Sequence, residues 1–228
     1  MNSLYKGHLG ETPFDIRLLA MEHFPIIQQL QTIVYNALPD QSVLQPLSQE
    51  EFEYILHGNG LMIGAFVKEE LIAFRALLEP EIDDEHLGRD CGVEESQLSR
   101  VLYQEISNVS PDYRGFGLQK TLAKVIMEQV DVERFDYICA TVKPFNIPSL
   151  KDKFSQGMMV AALKLKYGGK LRYVFFKKTT EEVLSFSQSC KVLMSDTTMQ
   201  QRLLKEGWLG VQMFLENEEW FVEYKRLK

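Results

Sequence analysis

The spacing of apolar residues along the chain alternates between a helical and a strand period. In 22–38 apolar residues recur at every third or fourth position, which predicts an amphipathic helix that ends at Pro39. A second, shorter helix is predicted after Ser48, where Ser-Gln-Glu-Glu has the form of a capping box. The helical spacing returns at 117–130 and at 147–156, which predicts two further helices.

Short apolar or alternating runs between these helices predict strands. Two of the runs flank the turn Lys68-Glu69-Glu70 and indicate an antiparallel hairpin. The order of elements predicts an α/β fold of the α+β type, with a central mixed, mostly antiparallel, twisted sheet flanked by helices. The predicted strands are 14–20, 61–67, 71–78, 101–109, 137–142, 158–166 and 171–177.

The last fifty residues have a pattern of their own. A helix near 197–206 stops at Gly207, and two apolar runs around 216–219 indicate a hairpin. About fifty residues bury too little apolar surface to be stable alone. We therefore expect a main domain over 1–178 and a C-terminal extension over 179–228 that packs on it.

Charge and cysteine usage exclude several classes of function. The chain has 228 residues and a net charge of −7, so a general binder of nucleic acid or of anionic membranes is not expected. Three cysteines without a Cys-x-x-Cys pair argue against a disulfide framework, and four scattered histidines suggest no metal ligands. With no apolar leader and no apolar span, the sequence predicts a cytoplasmic protein.

The segment that follows the 101–109 strand is the one that suggests chemistry. A turn with Gly115 and Gly117 joins this strand to the 117–130 helix, and such a turn exposes main-chain N–H groups that can bind a phosphate or pyrophosphate. Arg114 adds a cation at the same place. The turn is neither a dinucleotide fingerprint nor a Walker A loop, because the third glycine and the Gly-Lys-Ser/Thr run are missing.

VSPDYRGFGLQKTL (109–122) resembles the acetyl-CoA pyrophosphate loop of the GNAT superfamily of N-acetyltransferases, with the pattern Gln/Arg-x-x-Gly-x-Gly/Ala. Arg114 and Gly117 match, whereas Gln119 stands where Gly or Ala is usual. The resemblance extends over about 14–178. It implies that acetyl-CoA is bound by the loop residues Arg114, Gly115, Phe116, Gly117, Leu118 and Gln119.

A second element also resembles the superfamily. Asn146-x-x-Ser149 followed by Gly157 is similar to its Asn-x-x-Ala/Ser … Gly segment beside the cofactor, which implies that Asn146 and Ser149 bind acetyl-CoA. The tyrosine often found seven residues after this Asn, the usual general acid, is replaced here by Lys153.

The resemblance implies direct attack of an amine on the thioester of acetyl-CoA. Main-chain groups at Ser107 and Val109 would then hold the pantetheine arm and polarise the carbonyl. Polar residues occur at both odd and even positions of the 101–109 strand, so one face is expected to line a cleft. We assign Glu105 as general base with Tyr103 beside it. The alternative is that Glu105 pairs with a Lys or Arg and only positions the strand or the substrate. No general acid is assigned.

Three functions remain open at this stage. The first is an acetyl-CoA-dependent N-acetyltransferase that acts on a primary amine of a small molecule or peptide, without a metal. The second is a non-catalytic acyl-CoA-binding or regulatory module, and the third is a structural domain in which 114–119 is only a turn. An acidic segment at 79–95 would attract a cationic amine if it bordered the cleft, but a solvated surface loop is the preferred explanation. A homodimer is left open.

Overall fold

The computed structural model describes residues 3–180 and 183–228. The helices are α1 (Phe24–Asn36), α2 (Gln49–Leu56), the short α3 (Leu87–Asp90), α4 (Leu118–Met127), α5 (Ile147–Ser155) and α6 (Thr197–Lys205). The strands are β1 (Ser3–Leu9), β2 (Thr12–Leu18), β3 (Gly60–Val67), β4 (Glu70–Leu78), β5 (Val101–Val109), β6 (Tyr137–Val142), β7 (Met159–Lys166), β8 (Lys170–Lys178), β9 (Phe186–Leu193), β10 (Trp208–Glu216) and β11 (Glu219–Leu227).

Contacts divide the chain into two compact units. The first comprises the described residues up to Glu79 together with Leu102–Asp131, and the second comprises Pro80–Val101 and the described residues from Val132 onwards. Within the described ranges, no helix is both long enough and apolar enough to cross a membrane.

The first unit is an antiparallel meander in the order β1-β2-β3-β4-β5. One face of this meander is covered by α1 and α2, and the apolar cluster between them includes Ile27, Phe52 and Phe74, each no more than 1% exposed. The helix α2 begins where the sequence predicts, because Ser48 and Glu51 form the expected capping box.

The strands of the second unit run in the order β6-β8-β7-β10-β11-β9, and the described pairs are antiparallel. The join between β7 and β10 is a single pair, Gly210 with Val160. A Cβ at Gly210 would lie 3.0 Å from the Cβ of Val160, so any larger residue would have to displace Val160 by a few tenths of an ångström. The helix α6 contacts both strands of the join.

The fold class predicted from the sequence is confirmed, and most elements lie within a few residues of their predicted positions. Two strands were not predicted: β1, which contains Lys6, Gly7 and His8, and β9, in which half of the residues are exposed and one is buried. In β1 no apolar face alternates, and in β9 the alternation is interrupted by Gln188, so pairing with a neighbouring strand is what reveals both. The region 79–100, where the sequence pattern predicts no helix or strand, contains α3 and a 3-10 helix over Glu95–Arg100.

Candidate functional site

The glycine turn after β5 has the geometry of an anion-binding helix N-terminus. Gly115 and Gly117 have φ of 85° and 75°, and Gly117 is the N-cap of α4. Both glycines have open space around the position of a Cβ, so the left-handed backbone is what requires glycine here. Arg114 and Phe116 are exposed, whereas Leu118 is buried and offers a ligand only its main chain. The first N–H groups of α4 are therefore presented at an exposed turn.

The strand β5 is interrupted by a bulge at Glu105. Ile106 pairs with Ala76 of β4 and Gln104 pairs with Leu77, so Glu105 is the extra residue. Its side chain is half-buried. Bulges of this kind redirect a side chain and are common beside functional sites.

The bulge also changes which residues of β5 share a face. Tyr103 pairs with Leu78 and therefore lies on the face of Ile106 and Asn108, whereas Gln104 lies on the face of Ser107 and Val109. The regular odd-and-even alternation expected for this strand is wrong, because each residue beyond the bulge is shifted by one position. The bulge places Tyr103 and Ser107 on opposite faces.

A buried arginine joins the sheet to the first turn of α4, the helix that follows the glycine turn. Arg75 of β4 is 1% exposed, and its Nη2 donates to Oε1 of Gln104 at 2.7 Å. Its Nη1 donates to the main-chain carbonyl of Gln119, in the first turn of α4, at 3.4 Å. Arg75 thus lies on the face of the meander that α4 covers. Gln119, the residue that departs from the superfamily pattern, takes part in this contact through its main chain.

Three polar atoms at the end of β5 are buried without a hydrogen-bond partner. They are Oγ of Ser107 and both Oδ1 and Nδ2 of Asn108. Buried polar atoms are nearly always paired, so unpaired ones indicate a place where a ligand or a water binds. Ser107 is among the residues that the sequence predicts beside the cofactor, through its main chain, whereas Asn108 is not. The available signal was an asparagine inside a strand, where its intrinsic propensity is poor.

The other predicted cofactor residues belong to the second unit. Asn146 is the N-cap of α5, and its Oδ1 accepts from the main-chain N–H of Ser149 at 3.4 Å, as expected for the cap. Phe145, just before it, has φ of 65°, an uncommon conformation for a bulky residue. Lys153, at the position of the missing tyrosine, is nearly buried with its Nζ 3.4 Å from Oδ2 of Asp152.

Several acids of the 79–95 segment are paired within the second unit. Asp90 and Glu85 both contact Lys166, and Arg89 pairs with Glu95. Burial disfavours the Lys166 ammonium, but its hydrogen bonds to Asp90 and Glu85 outweigh that effect and raise its pKa. Part of the negative charge expected to attract a cationic amine is therefore already balanced.

The cysteines are free, and Cys91 and Cys139 have their sulfur atoms 3.9 Å apart. The hydrogen bond between the two thiols, together with burial, raises the pKa of Cys91. Across 3–180 and 183–228, no group of three His, Cys, Asp or Glu side chains is arranged to hold a metal ion.

No family model and no curated protein matches this sequence. Its structure is similar to solved acetyltransferases. An N-acetyltransferase from Staphylococcus aureus Mu50 has a TM-score of 0.55 and 13% identity, over 73% of this chain and 99% of that one. The protein yncA from Salmonella typhimurium, solved with its cofactor acetyl-CoA, has a TM-score of 0.55 and 11% identity, over 77% and 99%. A GNAT-family acetyltransferase from Streptococcus pneumoniae has a TM-score of 0.55 and 14% identity, over 72% of this chain and 98% of that one. The chain therefore has the GNAT N-acetyltransferase fold, which confirms the fold suggested by the resemblance.

Proposed function

We propose that this chain, which has the GNAT fold, is an acetyl-CoA-dependent N-acetyltransferase that acts on a primary amine of a small molecule or peptide. The observation that carries the proposal is the left-handed turn at Gly115 and Gly117, placed between the bulged β5 and the N-terminus of α4. Main-chain N–H groups from Gly115 to Gln119 would bind the pyrophosphate, and the exposed Arg114 would add a charge-assisted contact.

The residues of β5 fit the rest of the cofactor. Ser107 and Val109 share the face that Arg75 and α4 cover, and the unpaired Oγ of Ser107 supports a contact to the pantetheine arm there. In the second unit, Asn146 and Ser149 remain the cofactor residues that the resemblance implies. Bound acetyl-CoA would supply an activated acetyl group, with no metal required.

Glu105 is the proposed general base. As the bulged residue of β5 it is half-buried, and it would accept a proton from the attacking amine, directly or through a water. Tyr103 is proposed as a neighbouring polar contact, although it lies on the face of Ile106. No general acid is needed for the thiolate to leave, because a thiol pKa near ~8.5 makes it a tolerable leaving group.

The domain limits, the cellular location and the oligomeric state of the protein are also proposals. The structural neighbours match about three-quarters of this chain and nearly all of their own length, which supports a main domain over 1–178 with an extension over 179–228. The extension contributes α6, whose Gln201 donates to the main-chain carbonyl of Leu163 in β7 at 3.0 Å. A cytoplasmic location and a homodimer are expectations of the same kind.

A second candidate is a non-catalytic acyl-CoA-binding module. It is favoured by Lys153, which replaces the usual tyrosine and lies against Asp152. This module would bind acetyl-CoA and never consume it.

Thermal shift measurements with acetyl-CoA, CoA and ATP in parallel test the proposal. At about 100 times Kd, a ligand adds about 2.7 kcal/mol to the free energy of unfolding. Stabilisation by acetyl-CoA and CoA, but not by ATP, followed by thiol release in the presence of an amine, is the expected result. Binding without thiol release from any amine would favour the non-catalytic module, and no stabilisation by either would contradict both functions.

A further inference from the structure

Two cysteines of the second unit hold their thiols side by side. The Sγ atoms of Cys91 and Cys139 are 3.9 Å apart, and both thiols are free. The two residues are 48 positions apart in the sequence, so no short motif reveals the pair. The third cysteine, Cys190, lies half-buried in β9 and is also free.

The elements that carry the two thiols are held in place by their neighbours. Cys139 is fully buried in β6, where it pairs with Phe176 of β8. Cys91 is the C-cap of α3, which packs against β6. It directly follows Asp90, whose carboxylate lies 2.9 Å from Nζ of Lys166 in β7. The short distance between the sulfurs therefore belongs to a packed part of the second unit.

The stretches of chain beside the two cysteines also contact each other. Arg100 forms an ion pair with Asp136, and the main-chain N–H of Asp136 donates to the carbonyl of Arg100 at 2.9 Å. The hydroxyl of Tyr137 donates to Oε1 of Gln97 at 3.2 Å. These contacts keep the two stretches adjacent whatever the state of the thiols.

Only a small shift separates the two thiols from a covalent bond. A disulfide has a sulfur–sulfur distance of about 2.05 Å, so the two sulfurs must approach each other by about 2 Å. The end of α3, a helix of four residues, takes up this shift more easily than β6, which is paired with β8. We propose that Cys91 and Cys139 form a reversible disulfide in the folded chain, with a low-molecular-weight disulfide such as oxidised glutathione as the oxidant. This inference does not depend on the proposed function.

The reaction proceeds in two exchange steps. Cys91 reacts first, because it is half-buried whereas Cys139 is fully buried. Its thiolate attacks one sulfur of oxidised glutathione, which forms a mixed disulfide and releases one glutathione thiolate. The thiolate of Cys139 then attacks the Cys91 sulfur of the mixed disulfide and releases the second glutathione. The two protons that leave the cysteines end on the two released glutathione thiols.

The disulfide would link the two ends of the candidate-site segment. Cys91 precedes and Cys139 follows 102–131, the part of the first unit that contains β5, the glycine turn and α4. The bond would therefore constrain both connections to that segment. Disulfides that form in a reducing compartment are usually transient and report an oxidising change.

Mapping of the linked cysteines tests the proposal directly. The full chain is incubated with oxidised glutathione at about pH 9, because the raised pKa of Cys91 keeps its thiol protonated at neutral pH. Remaining thiols are blocked, and proteolysis with mass spectrometry identifies the links. The wild type and the control Cys190→Ala should both contain the Cys91–Cys139 link, and Cys91→Ala should contain none. Dithiothreitol should restore all the thiols.

Thermal stability provides a second readout. Oxidation should raise the Tm of the wild type and of Cys190→Ala by at least about 5 °C, because the bond closes a long loop in the unfolded chain, and should leave Cys91→Ala unchanged. A lower Tm of the oxidised wild type would show that the native fold does not accommodate the bond. The inference is also wrong if both cysteines of the wild type stay reduced, if they carry only glutathione, or if they become linked only in urea.

Discussion

Arg75 and Gln104, on neighbouring strands of the first unit, are joined by a hydrogen bond of 2.7 Å from Nη2 to Oε1. Gln104 directly precedes the bulged Glu105, and the same guanidinium reaches the carbonyl of Gln119 in the first turn of α4. One buried side chain thus links the bulge of β5 to the helix that follows the glycine turn.

Removing this link should destabilise the protein. Arg75→Met removes the donor to Gln104 Oε1 and the longer contact to the Gln119 carbonyl, and we expect the free energy of unfolding to fall by about 1–3 kcal/mol. Urea denaturation at neutral pH measures this change in the free energy of unfolding. Arg226→Met, at an exposed position of β11, is the control and should change little. An unchanged midpoint for Arg75→Met would mean that the link carries no net stabilisation.

Alanine substitutions at Gly117 and Gly10 distinguish the strain of a left-handed backbone from an effect on ligand binding. Both have positive φ, 75° and 62°, and neither has an atom within 4 Å of a Cβ position. Alanine at either position should cost about 1 kcal/mol of stability. Only Gly117→Ala should weaken acetyl-CoA binding, by about tenfold, when Kd is measured by calorimetry. Equal Kd values for the two variants would argue against a cofactor loop.

Glu105→Gln tests the general base. We expect kcat/KM to fall by about 10²-fold, with the Kd of acetyl-CoA unchanged, because the amide cannot accept the proton of the amine. Glu70→Gln, at an exposed position of β4, provides the same chemical change away from the bulge and should have no effect. Turnover close to that of the wild type across the pH range would remove Glu105 from this role.

Gln200 of α6 connects two buried tyrosines. Its Oε1 accepts from the hydroxyls of Tyr173 and Tyr224 at 2.6 and 2.8 Å, and its Nε2 donates to the carbonyls of Leu193 and Met194. Burial raises the pKa of both tyrosines, so they remain neutral donors.

Gln200→Leu would remove the acceptor of both tyrosine hydroxyls and one donor from each of the carbonyls of Leu193 and Met194. The expected loss is about 3 kcal/mol, or a fall in Tm of roughly 6 °C or more. Differential scanning calorimetry should show this loss. Gln188→Leu, on the exposed side of β9, should leave the Tm nearly unchanged. Equal Tm values for the two variants would mean that the network does not stabilise the second unit.

His86 should make stability depend on pH in the mildly acidic range. Burial lowers its pKa, and its Nδ1 accepts from the N–H of Gly88, which requires the neutral ring. The unfolded chain therefore binds the proton more readily than the folded chain. The stabilisation that neutral His86 contributes is fully present above a pH of about 6.5 and decreases as the pH falls below that value.

His86→Asn keeps a side chain that can cap α3 but does not titrate. The variant should lose less stability than the wild type between pH 7 and pH 5, a difference of at most about 1.4 kcal/mol per pH unit for one group. Urea midpoints across that range measure it. Parallel curves for the two proteins would show that His86 does not contribute.

Features that depend on a few consecutive residues could be predicted from the sequence. The capping box at Ser48, the N-cap at Asn146 and the glycine turn before α4 are set by local hydrogen bonds and local backbone freedom. The candidate loop was recognisable for the same reason. Its role as a binding site remains a prediction.

The rest was decided by contacts between residues distant along the chain. The sequence by itself determined most of the segments that become helices and strands, though not β1 and β9, because periodicity and capping act within one or two turns. Only the tertiary structure decided that Glu105 is the bulged residue, that Asn108 is left unpaired opposite Phe74, and that Gln200 meets two tyrosines. Strand register and the pairing of buried polar groups depend on which partner the fold brings opposite, and no local pattern encodes that partner.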